Sequence, residues 1–490
     1  MAERYDAAII GAGGDGLAAG ILLARAGLKT VVVERNPQPG GRLVTRQFQR
    51  GFFASPFADD LPPVPADLFW SLDLARHGAR VAETSGVFAL WPDRAVALDS
   101  SAVRRRLADA GRRRAMALAN ARRIERPVKS WNPLAQRSAM PWPAEDWTHR
   151  TLAELATGSA DEAAALMAAA LTGRAADPLS AGSALLLLAP FQGGTIWRGG
   201  LGALMAALAD SARAAGTEVS LGREVTDIRS ARGRVRAIAL ADGAEISARA
   251  VISTLDLKRT FLTLFPWSEL PPPAMKPVVN FRTAGAVARL LIALNAPPVP
   301  AVGNLPHGLL RGTLHLAPGA RNFVAAHNAW QSGAIAQHLP LTVRVDSATD
   351  PSLAPVGGAV MTVTIGAVPH ALFDGVWSRE KRDGLTNRAL SQIEEVFPAL
   401  ASSIVGTELF APPDIEDVLG ATHGDLDGGE IAPDQMFAFR PFADRKAPYT
   451  PVEGLYLAGR SATAAPLGGC VAGAVAAEAV IADIAAGKLP

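Results

Sequence analysis

A single cysteine, Cys470, stands among 490 residues. That excludes a disulfide framework and a cysteine-built metal centre, and it fits a reducing, cytoplasmic setting. An excess of one charge is also missing. Against 48 lysines and arginines stand 46 aspartates and glutamates, a formal net charge of +2, too even for nucleic acid to be held across the whole surface. No apolar run approaches the roughly 20 residues that a membrane-spanning helix needs; the most apolar short run is Ala184 to Pro190 (ALLLLAP). A strand-like run, Ala7 to Ile10, begins close to Met1, so no secretory signal is expected upstream of it. H-E-x-x-H and G-x-S-x-G are absent, which removes the usual motifs of metallohydrolases and acyl transferases.

What is present, with 49% hydrophobic residues, suffices for two or three packed domains. The chain opens as strand, glycine turn, helix and strand: Ala7 to Ile10, Gly11 to Gly16, Leu17 to Ala26 ended by Gly27, and Thr30 to Val33. This is a βαβ unit. From Leu61 the composition turns to prolines, then to a polar and basic stretch. A second α/β pattern follows Gly199: a helix over Leu201 to Ala214, strands over Glu218 to Leu221, Val225 to Ile228 and Val235 to Leu240, and a buried strand at Ala250 to Ser253. The region from Pro266 to Pro413 reads as a sheet with covering helices, including strands at Leu341 to Val345 and Val360 to Thr364 and a helix near Asp383 to Val396. A last strand at Gly454 to Gly459 precedes an alanine-rich helix, Gly473 to Ala485.

Gly11, Gly13 and Gly16 satisfy G-x-G-x-x-G between strand and helix, and Glu34 closes the second strand. The first glycine permits a tight turn, the second lets the backbone approach a pyrophosphate, and the third lets helix pack on strand. The helix N-terminus adds donors and positive potential. Glu34 is the expected partner of a ribose hydroxyl. These features leave FAD and NAD open. Pro39-Gly40-Gly41-Arg42 follows directly, and at the far end Gly454 to Gly459 leads into Gly468-Gly469-Cys470-Val471-Ala472-Gly473.

With these two signatures the chain resembles the flavoprotein superfamily of amine oxidases and phytoene desaturases, in which both chain ends grip one FAD. Further motifs narrow the resemblance: Asp73 to Gly78, Gly199 to Leu204, Asp256 to Phe261, Asp350 to Pro355, Gly429-Glu430 and Asp434 to Met436. They are similar to the branch typified by pyridine nucleotide-disulfide oxidoreductase domain-containing protein two, over nearly the whole chain. The resemblance implies an α/β fold: a discontinuous Rossmann-type FAD-binding domain, over 1–75, 195–265 and 415–490, with an inserted α+β substrate or cap domain over 76–194 and 266–414. It places Gly11, Gly13, Gly14, Gly16, Glu34, Arg35, Gly40, Gly41, Arg42, Val225, Gly459, Arg460, Gly468, Gly469, Cys470 and Val471 beside the cofactor. Cys470 stands where relatives carry a glycine, and a small side chain filling that slot is expected rather than a reactive thiol.

Flavin oxidation of carbon needs hydride departure and sometimes a base, while the protein supplies orientation and a dry site. His423, ahead of the Gly424 to Gln435 segment that relatives bring near the ring, is the candidate acid, base or orienting group; Asp427, Glu430 and Arg440 share its neighbourhood. The expected activity is removal of hydride from a largely apolar organic substrate, the flavin being reoxidised by oxygen or a quinone. Amine oxidation, carotenoid-type isomerisation and a flavin-binding protein without turnover are the alternatives. Between Arg104 and Lys129 lie nine arginines that could touch the inner face of a membrane or an acidic partner. Arginine triplets there point around most of a helix, which leaves a solvated helical surface open as the alternative. No nucleic acid is expected as a partner, and a homodimer is an open arrangement.

Overall fold

The computed structural model describes residues 3–489 apart from 62–63, 85, 99–149, 157–158, 172, 175, 189–194, 304, 318, 431–434, 436–439, 443, 446 and 463–468. The arginine-rich segment 104–129 and Gly468 therefore lie outside the described residues. The opening unit is a strand, Glu3–Ile10, a helix, Gly14–Arg25, and a parallel strand, Thr30–Val33, with Ala7 opposite Thr30 and Ile10 opposite Val33. The helix starts three residues earlier than its apolar pattern, because glycines discouraged by helix propensity here form the first turn.

Seven strands make the first sheet: six in the order Val225–Ala231, Arg234–Leu240, Glu245–Ser253, Glu3–Ile10, Thr30–Val33 and Glu218–Ser220, and a seventh, Leu455–Leu457, that joins Glu245–Ser253 off this path. Strand Glu245–Ser253 lies parallel to Glu3–Ile10 along its length. Its other edge is shared: residues 245–247 take the antiparallel strand Arg234–Leu240, and residues 251–253 take Leu455–Leu457 in parallel. That shared edge carries the far end of the chain into the centre of the sheet. Ala7 and Ile9 pack toward the helices Gly14–Arg25, Gly200–Ala214 and Val471–Ala485, whereas Ala8 and Ile10 pack with Phe261, Phe265 and Phe442. Alternate residues of a strand face opposite sides, so a parallel strand buried on both faces is apolar at every position.

The second seven-stranded sheet runs Ile404–Phe410, Val287–Leu294, Ala359–Gly366, Leu341–Arg344, Thr313–Leu316, Val87–Leu90 and Ala95–Ala97. Its neighbours are antiparallel except Thr313–Leu316 with Val87–Leu90. One face is covered by Leu385, Ala389 and Ile393 of the helix Arg379–Glu394. On the other, Val287, Leu291 and Val360 meet Phe52 and Phe57. Both central strands are buried throughout, although Arg289 stands inside one of them. Among the described residues no helix is long and apolar enough to cross a membrane; the run around Ala184 forms a short 3-10 turn, Ser183–Leu188. The architecture is α/β, a discontinuous Rossmann-type unit with an α+β insertion.

Candidate functional site

The glycine loop is tight where the sequence asks it to be. A Cβ on Gly16 would stand 2.0 Å from the Gly11 carbonyl oxygen, and one on Gly11 2.3 Å from Thr254 Oγ1. Around Gly13, by contrast, a Cβ would meet nothing within 4 Å, so the loop's middle faces open space at the helix N-terminus. Glu34 is buried; its Oε2 accepts from the Ala12 N–H at 2.9 Å, and its Oε1 from both nitrogens of Asn36 at 2.9 Å. A carboxylate has about four acceptor sites, so Glu34 braces the loop and keeps capacity for a hydroxyl. Val225 is buried at the start of its strand, near Glu34 through the Arg223 N–H donating to the Glu34 carbonyl at 2.9 Å. Arg35 turns the other way, donating to the carbonyls of Asp417 and Val418.

Two helix N-termini meet at this loop. Asp15 Oδ1 accepts from the Gly473 N–H at 3.0 Å, and a Cβ on Gly473 would lie 1.9 Å from the Asp15 carbonyl oxygen. Burial pushes the Asp15 carboxyl up, while the hydrogen bond from Gly473 and the charge of Arg42 act against it. Cys470 caps the closing helix Val471–Ala485 in the left-handed region at φ 68°, with Sγ 3.3 Å from where a Gly14 Cβ would be. That backbone favours glycine, and burial raises the thiol further from ionisation. Cys470 is thus a packed residue in a glycine slot. Gly469 and Val471 are buried beside it. Gly459 abuts the Thr254 carbonyl oxygen, 2.8 Å from its Cβ position.

Gly40 donates to the Ala12 carbonyl at 2.8 Å, and a Cβ on Gly41 would be unobstructed. Together they aim Arg42 inward. Arg42 and Arg460 each donate through Nη1 to the Leu426 carbonyl at 3.0 Å, and Arg460 also reaches Asp427 Oδ1 at 2.5 Å. Two guanidinium groups on one carbonyl repel: burial, then Arg460, pull Arg42 down to about 9. An open cradle at Gly13, two converging helix N-termini, Glu34 and this cationic pair fit FAD, whose pyrophosphate needs donors and positive potential.

Leu426 and Asp427 also line a pocket with Arg174, Leu186, Ala284, Val287 and Asp425. Asp425 accepts backbone N–H groups of Ala284 (3.2 Å), Asp427 (2.7 Å) and Gly429 (3.0 Å). Burial, then the charge of Asp427, nevertheless push its carboxyl up to about 7. Asp427 is held below the usual carboxylate range: burial opposes its charge, but Arg460, Arg174 and Arg42 outweigh it. Arg440 is 3% exposed and donates to the Gly428 and Gly429 carbonyls. Glu430 pairs with Arg282. His423 is exposed and is not among the pocket-lining residues. Its Nδ1 lies 3.0 Å from the Thr283 carbonyl, and its ring is 5.3 Å from that of His370.

Sequence reasoning missed Asp59, Asp60, Arg174, Arg289 and Arg344. The available signal was an arginine inside an apolar strand, as in Val287-Ala288-Arg289-Leu290-Leu291 and Leu341-Thr342-Val343-Arg344. Such a charge persists only when paired.

A model of the flavin containing amine oxidoreductase family matches residues 16–481. Over 556 aligned residues the chain is 27% identical to pyridine nucleotide-disulfide oxidoreductase domain-containing protein 2 of Mus musculus, covering 99% of this chain and 94% of that one. It is 25% identical to a lycopene-forming phytoene desaturase of Paracoccus sp., covering 89% of each. Cyclohexylamine oxidase from Brevibacterium oxydans is similar with a TM-score of 0.60 at 15% identity, over 98% of this chain and 99% of that one, a likeness of fold alone. With its glycine loop, its converging chain ends and a match along nearly its whole length, the chain belongs to the flavin containing amine oxidoreductase family and is an FAD-dependent oxidoreductase.

Proposed function

We propose that this enzyme removes a hydride from a C–H bond of an organic substrate with a largely apolar body, desaturating or oxidising it, and that oxygen or a quinone then takes the electrons. One observation carries the reading: Leu426 and Asp427 form a wall common to the pocket and to the Arg42–Arg460 pair, so a molecule in the pocket lies against the cofactor side. Bound FAD supplies the hydride acceptor. The chain's own part is to orient and to exclude water, with Leu186, Ala284, Ala286 and Val287 as the apolar lining. Asp425, poised near neutrality, is the group placed to take a second proton. His423 acts as an orienting residue in this scheme, fixing Thr283 beside the wall residue Ala284.

The division of labour follows the two sheets, with 1–75, 195–265 and 415–490 serving FAD and 76–194 and 266–414 serving the substrate. Contact of segment 104–129 with anionic membranes would suit an apolar substrate. The first experiment is the visible spectrum before and after denaturation, with mass analysis of what is released, followed by anaerobic titration with apolar alkenes and with primary amines. Stoichiometric free FAD and bleaching by an apolar compound are expected. Bleaching by amines alone would overturn the substrate reading.

A further inference from the structure

Every acid of the pocket has a hydrogen-bonded or ionic partner, whereas its arginine has a carbonyl but no carboxylate beside it. Asp427 is met by Arg460, Glu430 by Arg282, and Asp425 by three backbone N–H groups. Arg174 donates from Nη1 to the Ala170 carbonyl at 2.8 Å, the last turn of the helix Ala160–Leu171. Its Nε is shielded from solvent and donates to nothing. Among the described residues no carboxylate lies within ion-pair distance of it, yet it lines the pocket. Arg174 is half-buried; a guanidinium cannot shed its proton to escape that burial, and a charge drawn from water without an opposite charge beside it is costly. The neighbouring Gly173 lies beside the second sheet: a Cβ there would sit 3.6 Å from Thr364 Cγ2 and 3.9 Å from Val287 Cγ1.

Building on the proposed function, we propose that Arg174 docks a carboxylate of the substrate, which makes the substrate an amphipathic organic acid with its apolar body along Leu186, Ala284 and Val287. A monoanion suits the site. One guanidinium matches one carboxylate through two parallel hydrogen bonds, whereas a dianionic phosphate would face the charges of Asp427 and Glu430 with Arg174 as the one cation among the described residues of the lining. Burial lowers the basicity of Arg174 and the charge of Asp427 partly restores it, so Arg174 stays cationic at neutral pH.

The test uses the FAD-loaded protein, with decanoate and its neutral counterpart decanol titrated by calorimetry and by the flavin's visible spectrum. Decanoate is expected to bind about tenfold or more tightly than decanol and to perturb the spectrum. Arg174→Gln should weaken decanoate by about tenfold or more while leaving decanol binding and FAD content unchanged, and Arg174→Lys should keep part of the preference. Equal binding of acid and alcohol, or full decanoate affinity in Arg174→Gln, overturns the proposal. So does loss of FAD in that variant, which assigns Arg174 to the cofactor. Calorimetry needs no turnover, so the two readings fail separately: bleaching by neutral compounds with no preference for the acid removes only the carboxylate, and acid binding with no bleaching by any compound removes only the hydride reaction.

Discussion

The two sheets handle polar groups in opposite ways. In the first, the site is made largely of backbone: glycines where a Cβ would strike a carbonyl, and helix N-termini at Gly14 and Val471. In the second, the buried polar groups include charged side chains set inside apolar strands. Arg289, 3% exposed, forms a two-pronged pair with Asp59 at 2.6 and 2.8 Å, while Thr364 also donates to Asp59. Burial opposes the charge of Asp59, yet Arg289 holds that carboxyl down to about 2. Arg344 pairs with Asp346 at 3.2 Å and faces Asp60 at 3.9 Å. A backbone site needs only the right residues in a row. A charge set inside a sheet needs a partner that the fold brings beside it.

The comparison breaks most sharply at Arg289. Arg289→Met leaves Asp59 buried without its cation and should cost about 3–5 kcal/mol in urea unfolding, and Arg289→Met with Asp59→Asn should recover part of it. A loss under about 1 kcal/mol would mean that the pair behaves as a surface bridge. Next comes His315, buried on the same sheet with Nδ1 2.7 Å from Thr342 Oγ1. Burial, then Arg174, push it down to about 4. Its folded state resists protonation, so stability present above pH 6.5 is lost as pH falls through about 4, on the order of 3 kcal/mol in all. Urea midpoints at pH 7 and pH 4 should converge in His315→Asn relative to wild type.

Within the first sheet the glycines separate fold from cofactor. Gly16→Ala collides with backbone and should cost about 1–3 kcal/mol together with most of the bound FAD. Gly13→Ala meets no protein atom and should cost under about 1 kcal/mol while still releasing FAD, because its methyl enters the cradle. Equal FAD content in Gly13→Ala and wild type would move the pyrophosphate away from that loop. The smallest effect is at Cys470: Cys470→Gly should gain up to about 1 kcal/mol by relieving the left-handed backbone, and the native thiol should resist iodoacetamide until the protein unfolds.

The opening βαβ unit, the strand Leu455–Leu457 and the closing helix were legible because each is announced by residues close in sequence: apolar runs of the right period and glycines at the turns between them. The helix start at Gly14 was not, since a helix that presents its N-terminus to a ligand uses residues that propensity penalises. His423 stood out as the only histidine in a suspected segment, but its neighbours Asp425 and Asp427 line the pocket. No periodicity tells a solvated acid from a buried one.

By itself the sequence determined the dinucleotide fold, because that rests on short-range pattern: a tight turn, a helix start, an acid at a strand end; the family and FAD were read from the resemblance carried by motifs at both chain ends. Only the tertiary structure decided the charge of the pocket, the pairing of Asp59 with Arg289 across 230 positions, and the convergence of Arg42 and Arg460 on one carbonyl. Those contacts are made through space, where the Coulomb and hydrogen-bond energies of a buried group depend on which partner the fold brings within about 3 Å, and no local run of residues specifies that.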